Sequence, residues 1–369
     1  MKRNIGWVSV AALMSLLMLS LSAGKGRAHE VLDPMVRPAL MSRLATKSVL
    51  LAVTAAGKRL VAVGEHGIIV LSDNHGDSWY QARVPVSVTL TAVFFVSPEK
   101  GWALGHSGVV LHSDDGGITW EKQLDGRRAA QLALQAAQAK EKAAGTVTPE
   151  LKRQLSAAKL LVKDGPDKPF LNLYFENEQR GFIIGAYNLI FHTEDGGKTW
   201  QPWLDHVDNP RGMHLYGICP EGHDFFMAGE KGLILRSVNR GQTFTTLKSP
   251  YDGSFFGLIS LSDGELLVFG LRGHAFKSVD FGNTWKPVRT GNPYSISAAT
   301  QLQDGTLLLI TVAGDVLASK DKGKTFKEVQ IKDSFPFADL IEAKNGNLVL
   351  VGMRGVQVVP MPCRLTSLK

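Results

Sequence analysis

Ser113-Asp114-Asp115-Gly116-Gly117-Ile118-Thr119-Trp120 is the stretch that decides the fold, because it recurs. The pattern Ser/Thr-x-Asp/Asn-x-Gly-x-Thr/Ser-Trp/Phe returns as SDNHGDSW from Ser72 to Trp79, TEDGGKTW from Thr193 to Trp200 and SVNRGQTF from Ser237 to Phe244. It appears again as SVDFGNTW from Ser278 to Trp285 and SKDKGKTF from Ser319 to Phe326. The starts at 72 and 113 are 41 residues apart, the next gap is 80, and the rest are 44, 41 and 41. A period near 41 is that of a four-stranded propeller blade, and the 80-residue gap is one period plus an insertion.

Each box reads as a hairpin turn. Asp115, Asp195, Asp280 and Asp321 accept hydrogen bonds from the backbone of their own turns. The glycine supplies a conformation that other residues avoid. Trp79, Trp120, Trp200 and Trp285 begin the next strand and plug the turn. These are structural assignments, and a ligand site in a box is the rarer reading.

Before every box, apolar residues lead into Gly-x-x-Gly and a second short strand, as in VAVGEHG ending at Gly67 and LVFGLRG ending at Gly273. Asn188 replaces the second glycine in one copy and Thr311 the first in another. Seven such hairpins against six boxes predict an all-β, seven-bladed β-propeller. The seventh blade, which has no box, lacks a fourth strand. Residues 31–43 are the natural donor, which would close the ring and remove a free edge.

The insertion, residues 126–165, has no aromatic residue and is rich in Ala, Gln, Lys and Leu. Residues 127–143 favour helix, and Thr148-Pro149-Glu150 is a helix start. Leu151, Leu155, Ala158 and Val162 form an apolar stripe, so a helical hairpin is expected. Its basic residues include Arg127, Arg128, Lys152, Arg153 and Lys159, eight in all against three acids. The hairpin is either a solvated decoration or a projecting arm for an acidic partner or membrane surface.

Lys2 and Arg3 precede an apolar run over residues 5–21 and then small residues. This predicts a secretory signal peptide over residues 1–28, cleaved after Gly24 or Ala28, ahead of a domain over 29–369 in the periplasm. A retained membrane anchor is the rival, although the run is near the lower limit for spanning. Without that leader the chain carries 37 basic and 34 acidic residues, too even a balance for nucleic acid. Cys219 and Cys363 are too few for a disulfide framework or zinc site, although a pair between them is compatible with an oxidising compartment.

The residues between the paired glycines occupy matching places in every blade, on the face opposite the boxes. They are expected to ring the channel mouth, with Glu65, His66, His106, Tyr187, Lys231, Arg272 and Arg354 forming a polar, basic partner-binding surface; ordinary turn residues are the plainer reading. A glycosidase needs two carboxylates about 5–10 Å apart, whereas Glu65 and Glu230 stand in blades one and four. Sialidase chemistry needs three clustered arginines and a tyrosine; Arg272, Arg354 and Tyr187 are only a partial set, and Val36-Arg37-Pro38 is a faint echo of the usual Arg-Ile-Pro. His66 and His106 lack a third metal ligand. No catalytic residue, metal or cofactor is therefore assigned. A glycosidase or lectin working at the channel mouth is the alternative to a binding protein.

The paired hairpin-and-box pattern over residues 49–360 resembles the photosystem II stability/assembly factor family of BNR/Asp-box propellers. That resemblance implies a seven-bladed, non-enzymatic protein that binds a membrane protein during assembly through an arginine-rich surface, the role to which Arg272 and Arg354 come closest. It also implies a secreted bacterial branch associated with resistance-nodulation-division (MMPL-type) exporters. The helical insertion and bacterial leader depart from a plastid protein. The expected partner is thus an inner-membrane complex, contacted by a monomer through the turn face or the basic hairpin.

Overall fold

A computed structural model describes residues 33–360; the leader, Val31, Leu32 and Cys363 lie outside them. The described chain forms seven antiparallel sheets in consecutive meander order, six of four strands and one of three. Blade one illustrates the rule with strands A to D at Leu50–Ala56, Arg59–Gly64, Ile69–Ser72 and Tyr80–Gln81. The first strand of each blade packs against the first strands of both neighbours, and Leu50–Ala56 meets Phe337–Glu342 to complete the inner ring.

Second strands such as Gly101–Gly105, Leu266–Gly270 and Leu348–Gly352 are buried at every position. Each is covered on both faces by adjacent blades, so it reads as an unbroken apolar run, whereas one-sided burial gives alternation. The core is correspondingly a series of apolar layers between blades, exemplified by Leu60, Val70, Val349 and Val351 at the seam between blades one and seven.

Two glycine contacts set the geometry. The N–H of the first turn residue donates to the carbonyl just before strand A of the same blade, from Glu65 to Val49 at 3.0 Å through Met353 to Pro336 at 3.1 Å. A Cβ on Gly64 would stand 2.0 Å from that Val49 oxygen, and one on Gly105 2.1 Å from the Thr89 oxygen. The second glycine lies on the loop that enters the following blade. Gly67 meets Val86, Gly273 meets Asn292, and Gly355 of the last blade meets Thr46 before the first.

That last contact corrects the expected closure. Residues 34–43 do not supply a fourth strand to blade seven. They run over blade one, where Ser87 N–H donates to the Pro34 carbonyl at 2.8 Å and Ala39 N–H to the Val84 carbonyl at 3.0 Å. Pro34 and Pro38 have no N–H for a ladder, and Gln81 takes up the Ser42 N–H and the Leu40 carbonyl with its side chain. Among the described residues the ring closes by packing and by a hydrogen bond from Val53 N–H to the Asp339 carboxylate, and blade seven keeps three strands.

The insertion forms two helices, α1 (Gly126–Ala143) and α2 (Pro149–Asp164). Asp125 caps α1 by accepting from Arg128 N–H, and Thr148 caps α2 by accepting from Leu151 N–H. Two expectations change. Val162 is exposed while Leu161 turns inward beside Leu155 and Ala158, because the stripe follows spacings of three. The hairpin also does not project freely: α1 lies along the outer strand of blade three, Gln201–Pro202. Buried alanines 129, 130, 133 and 137 permit that close approach.

Candidate functional site

In blades one to five the turn between strands B and C is a short 3-10 turn, and the residue before the second glycine takes a left-handed backbone. The φ values are 55° at His66, 56° at Ser107, 54° at Tyr187, 51° at Lys231 and 56° at Arg272. Blade six instead uses a turn held by Thr311 and Asp315. In blade seven, Met353 and Arg354 form a two-residue hairpin between paired Gly352 and Gly355. Arg354 therefore matches Arg272 in sequence but not in backbone conformation.

These turns join the second and third strands, so they encircle the face outside the loops that enter the inner strands.

Several turn residues serve that inner loop. Val49 N–H donates to Glu65 Oε1 at 3.1 Å, and His214 N–H donates to Glu230 Oε2 at 3.3 Å, the same bond in two blades. Both carboxylates are thereby engaged with the backbone. The second turn residue reaches the next blade, with Tyr187 N–H donating to His214 Nδ1 at 2.9 Å, Lys231 N–H to Ser254 Oγ at 3.2 Å and Arg272 N–H to Ser295 Oγ at 3.1 Å. Among the described residues no group of three His, Cys, Asp or Glu side chains is placed to hold a metal ion.

Tyr187 stands apart because the residue is 59% exposed and its ring begins an aromatic run. It meets His214 edge-on at 4.6 Å, His214 meets Tyr216 at 6.0 Å, and Tyr216 meets Phe256 at 5.9 Å. Tyr216 and Phe256 lie in the inner strands of blades four and five. The run thus leads from the turn face toward the channel. The Lys168 ammonium lies 5.1 Å from the Tyr187 ring centroid. Partial burial disfavours its charge, but the hydrogen bonds it donates to Asp167 and Asp164 outweigh this and hold its pKa above the usual lysine value.

Beside Tyr187 opens a groove of about 740 Å³ between the helical hairpin and the loop over residues 203–212. Ala136, Ala157, Leu160, Leu204 and Pro210 give it apolar walls. Its floor is built by two buried asparagines: Asn209 Nδ2 donates to Asn188 Oδ1 at 2.9 Å, and Asn188 Nδ2 donates to the Leu204 carbonyl at 3.1 Å. Lys140 on α1 pairs with Asp205 across the groove.

Of the hairpin cations, Arg127, Arg128, Lys152 and Lys159 are exposed, and Arg153 is paired with Glu150. His66, His106, Lys231, Arg272 and Arg354 are spread around the ring, whereas Tyr187 and, from the hairpin, Arg153 line the groove. His214, Lys168 and Asn209 were not singled out by sequence. The one available signal was the position of His214 immediately before an inner strand.

In the boxes, the first Ser or Thr is the hub. Ser278 Oγ donates to Asp280 Oδ1 at 2.8 Å and accepts from Gly282 N–H at 2.8 Å, while Thr284 N–H and Oγ1 donate to Asp280 at 2.8 and 2.6 Å. The Thr284 hydroxyl, then its N–H and the Ser278 hydroxyl, lower the Asp280 pKa to about 2. The boxes are turns on the opposite face, and neighbouring blades also reach them, as where Arg59 donates to the Gly116 carbonyl at 3.1 Å and Gln123 to the Gly196 carbonyl at 3.0 Å.

A sequence-family profile described as "Photosynthesis system II assembly factor YCF48" matches residues 49–145 and 158–252. A segment of 77 residues is 31% identical to the photosystem II assembly lipoprotein Ycf48 of Synechococcus sp. (strain CC9902), spanning 21% of this chain and 23% of that one. Among solved structures, "YCF48 bound to D1 peptide" superimposes with a TM-score of 0.62 at 15% identity, over 88% of this chain and 99% of that chain. The GH74 xyloglucanase of Xanthomonas campestris superimposes with a TM-score of 0.60 at 11% identity, over 86% of this chain and 53% of that chain. At those identities the two structures show a shared fold.

Proposed function

This chain belongs to the photosynthesis system II assembly factor YCF48 family, and from that premise we propose that it is a non-catalytic periplasmic assembly or accessory factor. Its client is an extramembrane segment of an inner-membrane protein complex, of the resistance-nodulation-division (MMPL-type) exporter class. The observation that carries the reading is the groove between the hairpin and Tyr187, apolar in its walls and opening beside that exposed tyrosine, the first ring of an aromatic run. A concave apolar site with a few placed polar groups is suited to holding a peptide segment. A solved structure of the same fold is described as bound to a D1 peptide, which supports peptide holding as the task. The leader-like residues 1–28 support secretion.

Hydrolysis is disfavoured by the use of Glu65 and Glu230 as backbone acceptors in separate blades. The test is recovery of membrane proteins from detergent-solubilised membranes by the full chain, by a variant with residues 126–165 replaced by a short linker, and by Tyr187→Ala. Loss of the same membrane protein in both variants is expected. Equal recovery by all three overturns the assignment of the groove. Fractionation of cells tests the compartment, and retention in the cytoplasm overturns it.

A further inference from the structure

Blade seven differs from the other six in the side of its last described strand that faces away from the sheet. Its last described strand, Gly355–Val359, pairs only with Leu348–Gly352, in the register Gly352↔Gly355, Val351↔Val356, Leu350↔Gln357 and Val349↔Val358. A two-residue hairpin makes Gly352 and Gly355 a hydrogen-bonded pair, and such pairs alternate along an antiparallel ladder. The backbone N–H and C=O groups of Val356 and Val358 therefore point to the open edge. In the other six blades that edge is covered by a fourth strand, such as Tyr80–Gln81 or Lys286–Val288.

Among the described residues no strand covers this edge, which borders a groove of about 710 Å³ lined by Val356, Val358 and, from blade one, Trp79. Lys47 and Arg354 stand at its turn end and Asp77 at its box end. Both cations are exposed, and neither makes an ion pair among the described residues. The apolar ledge continues outward in Met41, which shares a neighbouring hollow with Trp79 and Thr46.

We propose that this edge is a strand-addition site for an extended partner segment that is apolar at alternate positions and acidic at its C-terminal end. Unpaired backbone groups at alternate positions call for an extended backbone rather than a helix or a lipid chain. Every blade is an antiparallel meander, so an added strand runs from the box end to the turn end. Its N-terminal end then meets Asp77 and its C-terminal end meets Lys47 and Arg354, a charge match at both ends. Side chains on one face of the segment pack on Trp79 beside Val356 and Val358.

The probe is a labelled eight-residue peptide of alternating valine and threonine, with a lysine at its N-terminal end and two aspartates at its C-terminal end. Titrated by fluorescence polarisation, it binds the full chain. Exchanging its charged ends, or reversing charge with Lys47→Glu and Arg354→Glu, weakens binding by about five-fold or more. Val358→Pro, which removes an edge donor, abolishes it, while Tyr187→Ala leaves it unchanged and so separates this site from the groove under the hairpin. The charge-reversed chain, altered only at exposed positions, keeps the test valid if the proline variant misfolds. Absence of binding, or binding indifferent to charge reversal, overturns the proposal. So does slow exchange of the Val356 and Val358 amide hydrogens in the peptide-free chain, which would mean that its own residues or a second copy already cover the edge.

Discussion

The carboxylate of Asp339 accepts a hydrogen bond from the backbone N–H of Val53 at 2.9 Å, joining the inner strand of the last blade to that of the first across 286 residues. Asp339 also accepts from Leu340 N–H at 2.9 Å. Burial at this seam raises its pKa to about 6, against the pull of those two N–H donors. Because the folded value lies above the unfolded value of 3.8, the folded chain binds this proton more tightly. The associated stability is present in full below about pH 4 and is lost as the pH rises through 6. Comparing the urea midpoints of wild type and Asp339→Asn at pH 4.5 and 7.5 is expected to show a relative gain for the variant at the higher pH. The size is about 1–2 kcal/mol, discounted because the residue as a whole is only half-buried.

Gly355 makes the second seam contact. Its φ is 85°, and a Cβ there would lie 1.8 Å from the Thr46 oxygen. Gly355→Ala is expected to cost about 2–4 kcal/mol in chemical denaturation, through strain and forced separation of blades seven and one. Alanine at Gly346, where a Cβ meets nothing within 4 Å although φ is 81°, isolates the conformational part and costs about 1 kcal/mol.

The boxes respond differently to acid. Ser278 is 1% exposed, and its Oγ is the acceptor for the Gly282 N–H. Ser278→Ala leaves that N–H unpaired and is expected to cost about 1–3 kcal/mol. The Asp280 pKa is depressed to about 2 from 3.8, so its contribution holds above about pH 4 and is lost only as the pH falls through 2. The difference in melting temperature between wild type and Asp280→Ala should therefore persist from pH 7 to pH 4 and collapse below pH 3.

The hairpin is an attachment to a complete ring. α1 covers blade three through small alanines, and the blade-to-blade seams do not include it apart from Ala129, Leu132 and Leu161. Replacing residues 126–165 with a short linker is expected to preserve the β-sheet circular dichroism spectrum and a single cooperative unfolding transition. Loss of the cooperative transition would show that the hairpin is part of the core.

The blade count and the hairpin were legible because box spacing and capping residues are local signals, as in Ser278 to Trp285 and Thr148-Pro149. Ring closure was not: whether residues 34–43 join blade seven depends on contacts with Ser87 and Val84, which no periodicity encodes. Glycine roles were half legible. Positive φ explains the second glycine, but the first is required by the carbonyl of Val49 or Thr89, a tertiary neighbour. The groove was missed because it forms between elements distant in sequence, the helical hairpin lying along blade three beside Tyr187 and the loop that carries Asn209.

The central claim is that the turn face beside the hairpin holds a membrane protein. It is tested most directly by placing a photo-crosslinking amino acid at position 187 in living cells, with position 118 on the opposite face as control. An adduct with one integral membrane protein at 187 and none at 118 is the predicted result. Equal adducts at both positions, or none to a membrane protein at 187, would contradict it.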